Sequence, residues 1–270
     1  MVHLLKIEWL KLKNYRTFWI LISLYLLSIY GLNFIVFRIQ EKIYEARQSK
    51  GMAEALIGNR PYSFPTAWQM SAYVSGFLLF LPGLLMIIFI TNEYSYKTHR
   101  QNIIDGWSRN QFISVKIVLA VLVAFLSTIM VILTAIFFGM QLNSPFSFEK
   151  IEYIGYYFIQ ALNYCFASIL IAVVVRRGGL AIGFYFLYAV VLENVLNLLL
   201  NRLLDTRYFD RIGRFLPLQS SDELIPVPIF QNIQRQLVAP PNYPVLLTAA
   251  GIYLMVFLFL INRRFLRSDL

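Results

Sequence analysis

Glu193, Asn194, Asn197 and Asn201 stand inside an otherwise apolar run. Glu193, Asn197 and Asn201 recur every four residues and therefore share one face of a helix. An ionisable side chain in hydrocarbon costs about 3 kcal/mol on insertion scales, which marks Glu193 as a functional candidate. Three readings fit the stripe. It is the polar wall of a translocation path, or a helix–helix interface held by asparagine hydrogen bonds. Otherwise the span ends early, so that Asn201 and even Glu193 approach the outer water. Gln160, Asn163 and Asn33 are polar residues of other apolar runs that could face it.

Other chemistries lack their residues. His-Glu-x-x-His and Gly-x-Ser-x-Gly are absent, and neither His3 nor His99 lies in an apolar run. Cys165 is the single cysteine, which excludes a disulfide framework and a Cys-rich metal site. An intramembrane enzyme would need a nucleophile–base pair or metal ligands facing a cavity, so that class fits poorly. A phosphate loop needs Gly-x4-Gly-Lys-Ser/Thr; the nearest spacing, Gly178 to Gly183, is followed by Phe184 and Tyr185. If ATP is the fuel, another polypeptide binds it.

The second informative stretch is Thr91–Phe112. Thr98 with Gln101 and Ser108 with Gln111 both have capping-box spacing, and Gly106 fits the left-handed position past a helix end. The pattern predicts a short helix over 98–105, a sharp turn, and the start of a longer helix. A short rigid polar helix at a membrane surface is a docking knob for a soluble partner; a connector with chance caps is the plainer alternative.

The elements that position these groups follow from hydropathy. The 270 residues are 59% hydrophobic and 14% charged, against about 25% charged in soluble chains. Six apolar runs reach the roughly 20 residues of a spanning helix: 19–37, 70–90, 115–140, 153–175, 180–200 and 245–261. No cleavable signal peptide is expected, since Glu8 precedes a first run too long for one. Pro82-Gly83 predicts a kink in the second run, and Arg176-Arg177-Gly178-Gly179 a tight turn between the fourth and fifth. Trp19, Trp68 and Trp107 fall near run ends, where they read as interfacial anchors. The net charge of +10 lies between the runs, as lipid-flanking Lys and Arg do, and gives no reason to expect nucleic acid. With both termini cytoplasmic, 13 of the 24 basic residues fall on inside segments, at about twice the density of the outside loops 38–69, 141–152 and 201–244.

His3–Phe18 reads as an interfacial helix running without a breaker into the first span, with Leu5, Trp9 and Leu12 on one stripe. The last outside loop holds six prolines, from Pro217 to Pro244, beside the apolar segments 215–218 and 224–230. It reads either as short helices dipping into the bilayer or as a capped surface loop. The fold expected is an all-α membrane protein: six transmembrane helices, an interfacial elbow helix and both termini inside.

With Glu93, Lys97, Thr98, Gly106, Ser108, Arg109, Phe112 and Lys116 in the loop before span three, the chain resembles the permease subunits of ABC-2 type transporters. The family loop often starts Gly-Thr and has Pro before Ser-Arg; here Lys97 and Trp107 stand there. The resemblance implies two permease chains, identical or paralogous, on two ATP-binding subunits that hold ATP and Mg. It implies that the 98–105 helix is the coupling helix, with Thr98, His99, Arg100, Asn102, Ile103, Ile104, Asp105, Gly106 and Arg109 as the ATPase-contacting set. This chain would then carry no cofactor, hydrolyse nothing itself, and sit among lipids in a bacterial inner membrane, most relatives being exporters. A non-transporting scaffold for motility, assembly or immunity, using the same docking, is the alternative.

Overall fold

The computed structural model describes residues 2–45, 60–98, 101, 104, 107–203, 212–229 and 242–266. Among them every regular element is a helix. α1 (Val2–Lys13) leads to α2 (Arg16–Glu45), then α3 (Thr66–Gly76), α4 (Phe80–Ser95), α5 (Arg109–Gln141) and α6 (Glu152–Val175). The fifth apolar run forms α7 (Gly178–Phe186), a π-helical segment Leu187–Leu192 and α8 (Glu193–Leu203). A 3₁₀ turn (Ile212–Phe215), α9 (Gln219–Asp222) and α10 (Tyr243–Leu266) follow. Among the described residues five helices are long and apolar enough to cross a membrane, or six if the bent pair α3–α4 forms one span. This is an all-α, multi-pass membrane protein.

α6 is the centre. It packs against α3, α4, α5, α7, α9 and α10, and 61% of its most apolar window is buried. The apolar windows of the outer helices stay mostly uncovered, 22% buried in α10, because lipid tails are as apolar as Leu and exert no pressure to bury it. A 33-residue α5 is about 50 Å long at 1.5 Å per residue, more than the hydrocarbon thickness, so it tilts or protrudes.

Several elements differ from the sequence expectation. The kink of the second span is a 46° break at Phe77–Leu79, ahead of Pro82. Pro82 sits in the first turn of α4, where its missing N–H has no intrahelical acceptor to lose. Gly178 and Gly179 are helical, and the turn belongs to Arg176, left-handed at φ 57°, and extended Arg177. The N-terminal helix does not run through to residue 18; it stops at Lys13, with a break at Asn14–Tyr15 where Tyr15 takes a hydrogen bond from Asn92 Nδ2 (2.7 Å). The first span continues to Glu45, into the stretch assigned to the outside loop. Trp68 and Trp107 are buried in the bundle rather than anchoring it in lipid headgroups. Trp68 Nε1 donates to the Ser147 carbonyl at 2.8 Å. Trp19 alone of the three is exposed, at 42%.

Gly83 marks the closest approach in the core: a Cβ there would meet the Tyr185 hydroxyl oxygen at 2.0 Å. We expect Gly83→Ala to cost about 1–3 kcal/mol of overpacking strain, read as a lowered unfolding midpoint in detergent. Tyr185→Leu in the same chain should make the double change cost less than the sum; strict additivity would show that the contact is absent.

Candidate functional site

At the end of the bundle that carries the 96–108 loop, four charged side chains from three helices converge. Lys116, on the first turns of α5, is fully buried. Its Nζ donates to Glu8 Oε2 of α1 and Glu93 Oε1 of α4, both at 2.8 Å. Lys11, half-buried on α1, pairs with Glu8 at 3.0 Å and with Glu93 at 3.4 Å. The rings of Phe89 and Phe112 lie 4.2 and 5.0 Å from the Lys116 ammonium, and Trp107 lies 5.7 Å from that of Lys11. Burial opposes ionisation of Glu8, but Lys116 and then Lys11 outweigh it and hold the carboxyl below its ordinary value. Burial likewise opposes the charge on Lys11, and Glu93 and Glu8 more than offset it, so its ammonium is held above its ordinary value.

This cluster corrects the amphipathic stripe expected of the N-terminal helix. Its buried side carries Glu8 and Leu12, while Trp9 is 52% exposed and packs edge-on against Trp19 at 6.0 Å. The carboxylate turns inward because its partner, Lys116, waits there. Sequence reasoning singled out Glu93 and Lys116 without pairing them; their 23-residue separation spans a loop and gives no periodic signal.

The cluster clamps both ends of the loop. Ser108 caps α5 with both halves of the capping box present, its hydroxyl accepting from Gln111 N (3.2 Å) and its N–H donating to Gln111 Oε1 (2.9 Å). Phe112 stacks on Phe265 of α10 at 5.0 Å, and Arg109 Nη1 donates to the Leu266 carbonyl at 2.7 Å. The Thr98 box is not formed as expected. Thr98 is already helical, its hydroxyl donates to the Glu93 carbonyl (3.4 Å), and left-handed Lys97 (φ 57°) precedes it. Gln101 and Ile104 are also helical, with Ile104 84% exposed and Tyr96 76% exposed. His99, Arg100, Asn102, Ile103, Asp105 and Gly106 lie outside the described residues.

The polar stripe is the second site. Glu193 is buried, and its carboxylate accepts the backbone N–H groups of Leu218 (3.0 Å) and Gln219 (3.0 Å) at the start of α9. The Tyr188 hydroxyl donates to it as well. The π-helical segment makes that bond: residues five apart align there, as 188 and 193 do. Asn197 donates to Gln219 Oε1 (2.7 Å), Asn194 Oδ1 accepts from Gln219 Nε2 (3.2 Å), and Asn201 Oδ1 accepts from Gly213 N (3.0 Å). A Cβ on Gly213 would sit 2.2 Å from Asn197 Oδ1, so the 3₁₀ turn lies directly on α8. All four stripe residues thus serve an interface, with a folded-in loop rather than another span. The short helices of that loop are buried: Leu218, Ser220 and Ser221 are inaccessible. Gln160 of α6 joins this region through Asp222, donating at 2.8 Å. Asn33 does not; it donates to Ser75 (3.0 Å) and accepts from Tyr62 (2.9 Å). Asn163 lies in the core of α6. Among the described residues no His, Cys, Asp and Glu side chains group to hold a metal ion.

The described elements form a multi-pass helical bundle with a loop clamped at both ends between its second and third spans. Residues 4–192 match the family model described as ABC-2 family transporter protein. The chain belongs to that family and is a membrane permease of an ABC-type system, a class of component that transports rather than catalyses and that works with an ATP-binding subunit. No curated protein sequence matches it.

Removing Lys116 would leave Glu8 and Glu93 facing each other with Lys11 alone. Lys116→Met should cost about 3–5 kcal/mol of stability, and Glu8→Gln in that background should recover part of it, since the penalty is unpaired charge. The Glu8 contribution is complete above the ordinary 4.5 and fades as pH falls through its lower folded value. That of Lys11 is complete below 10.5 and fades as pH rises through its higher one, so docking of α1 should hold across neutral pH. For the stripe, Ser220→Cys in a Cys165→Ala chain should resist maleimide. Adding Glu193→Leu, which orphans two buried N–H groups at about 1–3 kcal/mol each, should make it react, and Glu193→Gln should do so less. Equal protection in all three would refute the docking role.

Proposed function

We propose that this chain is the permease subunit of an exporter in a bacterial cytoplasmic membrane, driven by ATP turnover on a separate subunit. Two permease chains, copies or paralogues, would stand on two ATPase subunits, which hold the ATP and Mg. The observation that carries this reading is the loop between α4 and α5. It is short and fixed at both ends by buried charge and a capping box, yet it presents Tyr96 and Ile104 to the outside. Apolar side chains on a loop held at both roots bind a cleft at lower entropic cost than on a free segment. The coupling set is then Thr98, His99, Arg100, Asn102, Ile103, Ile104, Asp105, Gly106 and Arg109, with Arg109 at its root. Both termini would be cytoplasmic, on the side of this loop. The uncovered apolar faces of α2, α7 and α10 fit lipid and the second permease chain.

Movement of the loop would reach the bundle through the charge cluster, since Glu93 and Lys116 flank it and share Glu8 and Lys11. The polar stripe holds the 212–229 segment against the opposite end of the fifth span, where it would act as a plug or gate.

Ile104→Asp should weaken co-purification with the partner ATPase at least tenfold and abolish stimulation of its ATPase activity, while the variant still inserts and folds. Unchanged co-purification and coupling would place the docking surface elsewhere, at Arg176–Gly179 or α1. ATP-dependent efflux from proteoliposomes holding both subunits separates an exporter from a scaffold, which would couple without moving solute.

A further inference from the structure

A cavity of about 270 Å³ opens where the break between α3 and α4 meets α6, the π-helical segment and α9. Its apolar lining includes Phe77, Phe80, Val190 and Ile225. Its polar lining includes Gln160, Tyr164, Asn194, Gln219 and Asp222. Each donor group of the polar lining makes one hydrogen bond to a neighbour. Gln160 Nε2 and the Tyr164 hydroxyl donate to the two oxygens of Asp222, at 2.8 and 3.0 Å. Gln219 Nε2 donates to Asn194 Oδ1, and Asn194 Nδ2 donates to the Val190 carbonyl. Acceptors are left over. Gln160 Oε1 has no hydrogen-bond partner, although Gln160 is only 6% exposed. Its orientation is fixed, because the amide nitrogen must face the Asp222 carboxylate. Each Asp222 oxygen keeps a further lone pair. No Lys, Arg or His among the described residues lines the cavity.

A lining that holds an unpartnered buried acceptor and a carboxylate, with aromatic rings and no cation, suits a cation with several N–H donors. We propose that this cavity binds a primary ammonium group carried on a compact apolar body. The three N–H donors of the ammonium fit Gln160 Oε1, Asp222 and the Tyr164 oxygen. Its alkyl stem lies along Phe77 and Phe80, whose ring faces also attract the cation. A charge drawn out of bulk water needs paired acceptors of this kind. The aligned i, i+5 geometry of the π-helical segment and the break at 77–79 are what leave this space; two regular α-helices would close it. The ammonium comes either from a free lipophilic amine or from the headgroup of an ethanolamine phospholipid.

Binding of radiolabelled octylammonium to the purified full chain in phosphatidylcholine nanodiscs tests this without an ATPase, so failure here leaves the permease assignment standing. Saturable binding is expected, with octyltrimethylammonium and octanol competing at least tenfold more weakly, since the first lacks N–H donors and the second lacks charge. Asp222→Asn and Val190→Trp should each weaken binding tenfold or more. Val190→Trp fills the cavity from its apolar lining, so it still decides the matter if Asp222→Asn fails to fold. Loss of the signal in nanodiscs containing phosphatidylethanolamine identifies the lipid headgroup as the source; unchanged affinity there identifies a free amine. Octanol binding as tightly as octylammonium, no saturable binding, or wild-type affinity in Val190→Trp would overturn the proposal.

Discussion

Lys116 carries a charge where no water reaches it, and the cytoplasm-facing organisation proposed for this permease depends on how that charge is balanced. Two carboxylates at 2.8 Å do so, one from α1 and one from α4. Neither acid would tolerate its own burial without the lysine. The interaction is therefore less a source of net stability than a fastener: a buried pair is strongly destabilised by losing one member, even where its formation gains little. It joins an N-terminal helix that does not span, the end of the second span and the start of the third.

That fastener sets the loop between the spans. Glu93 and Lys116 flank it, Trp107 packs inward beside Lys11, and Ser108 closes the first turn of α5. Only Tyr96 and Ile104 stand out from it among the described apolar side chains of this stretch. A loop held at both roots follows the helices that hold it, which is the property the proposed coupling role calls on.

At the other end a different constraint operates. Backbone removed from water must find its partners within the protein. The segment 212–229 has only short helical turns and is partly buried, and the fifth span provides those partners: Glu193 takes two N–H groups, Asn201 a third, and Asn194 and Asn197 hold the Gln219 amide. The π-helical segment turns Tyr188 onto the same carboxylate. Polar residues here satisfy a loop folded back on the bundle, and the acceptors left over, on Gln160 and Asp222, face a cavity.

Hydropathy alone determined the class of fold and picked out the long apolar helices, because a membrane demands about 20 apolar residues wherever the chain crosses it. It also determined the Ser108–Gln111 cap, which is local, and singled out Glu193, whose cost in hydrocarbon is visible without any partner. The tertiary structure decided the partners. Glu8 and Lys116 are 108 residues apart, and Glu193 and Leu218 are joined across a proline-rich loop; no periodicity connects such pairs. It decided which way the N-terminal helix faces, turning Glu8 in and Trp9 out against the expectation from hydrophobic spacing. It placed the second-span break ahead of Pro82, because proline fits a first helical turn and only displaces the irregularity upstream. The π-helical segment left no mark in the sequence, since its extra residue is stabilised by contacts with α9 and Tyr188 that exist only once the loop has folded back.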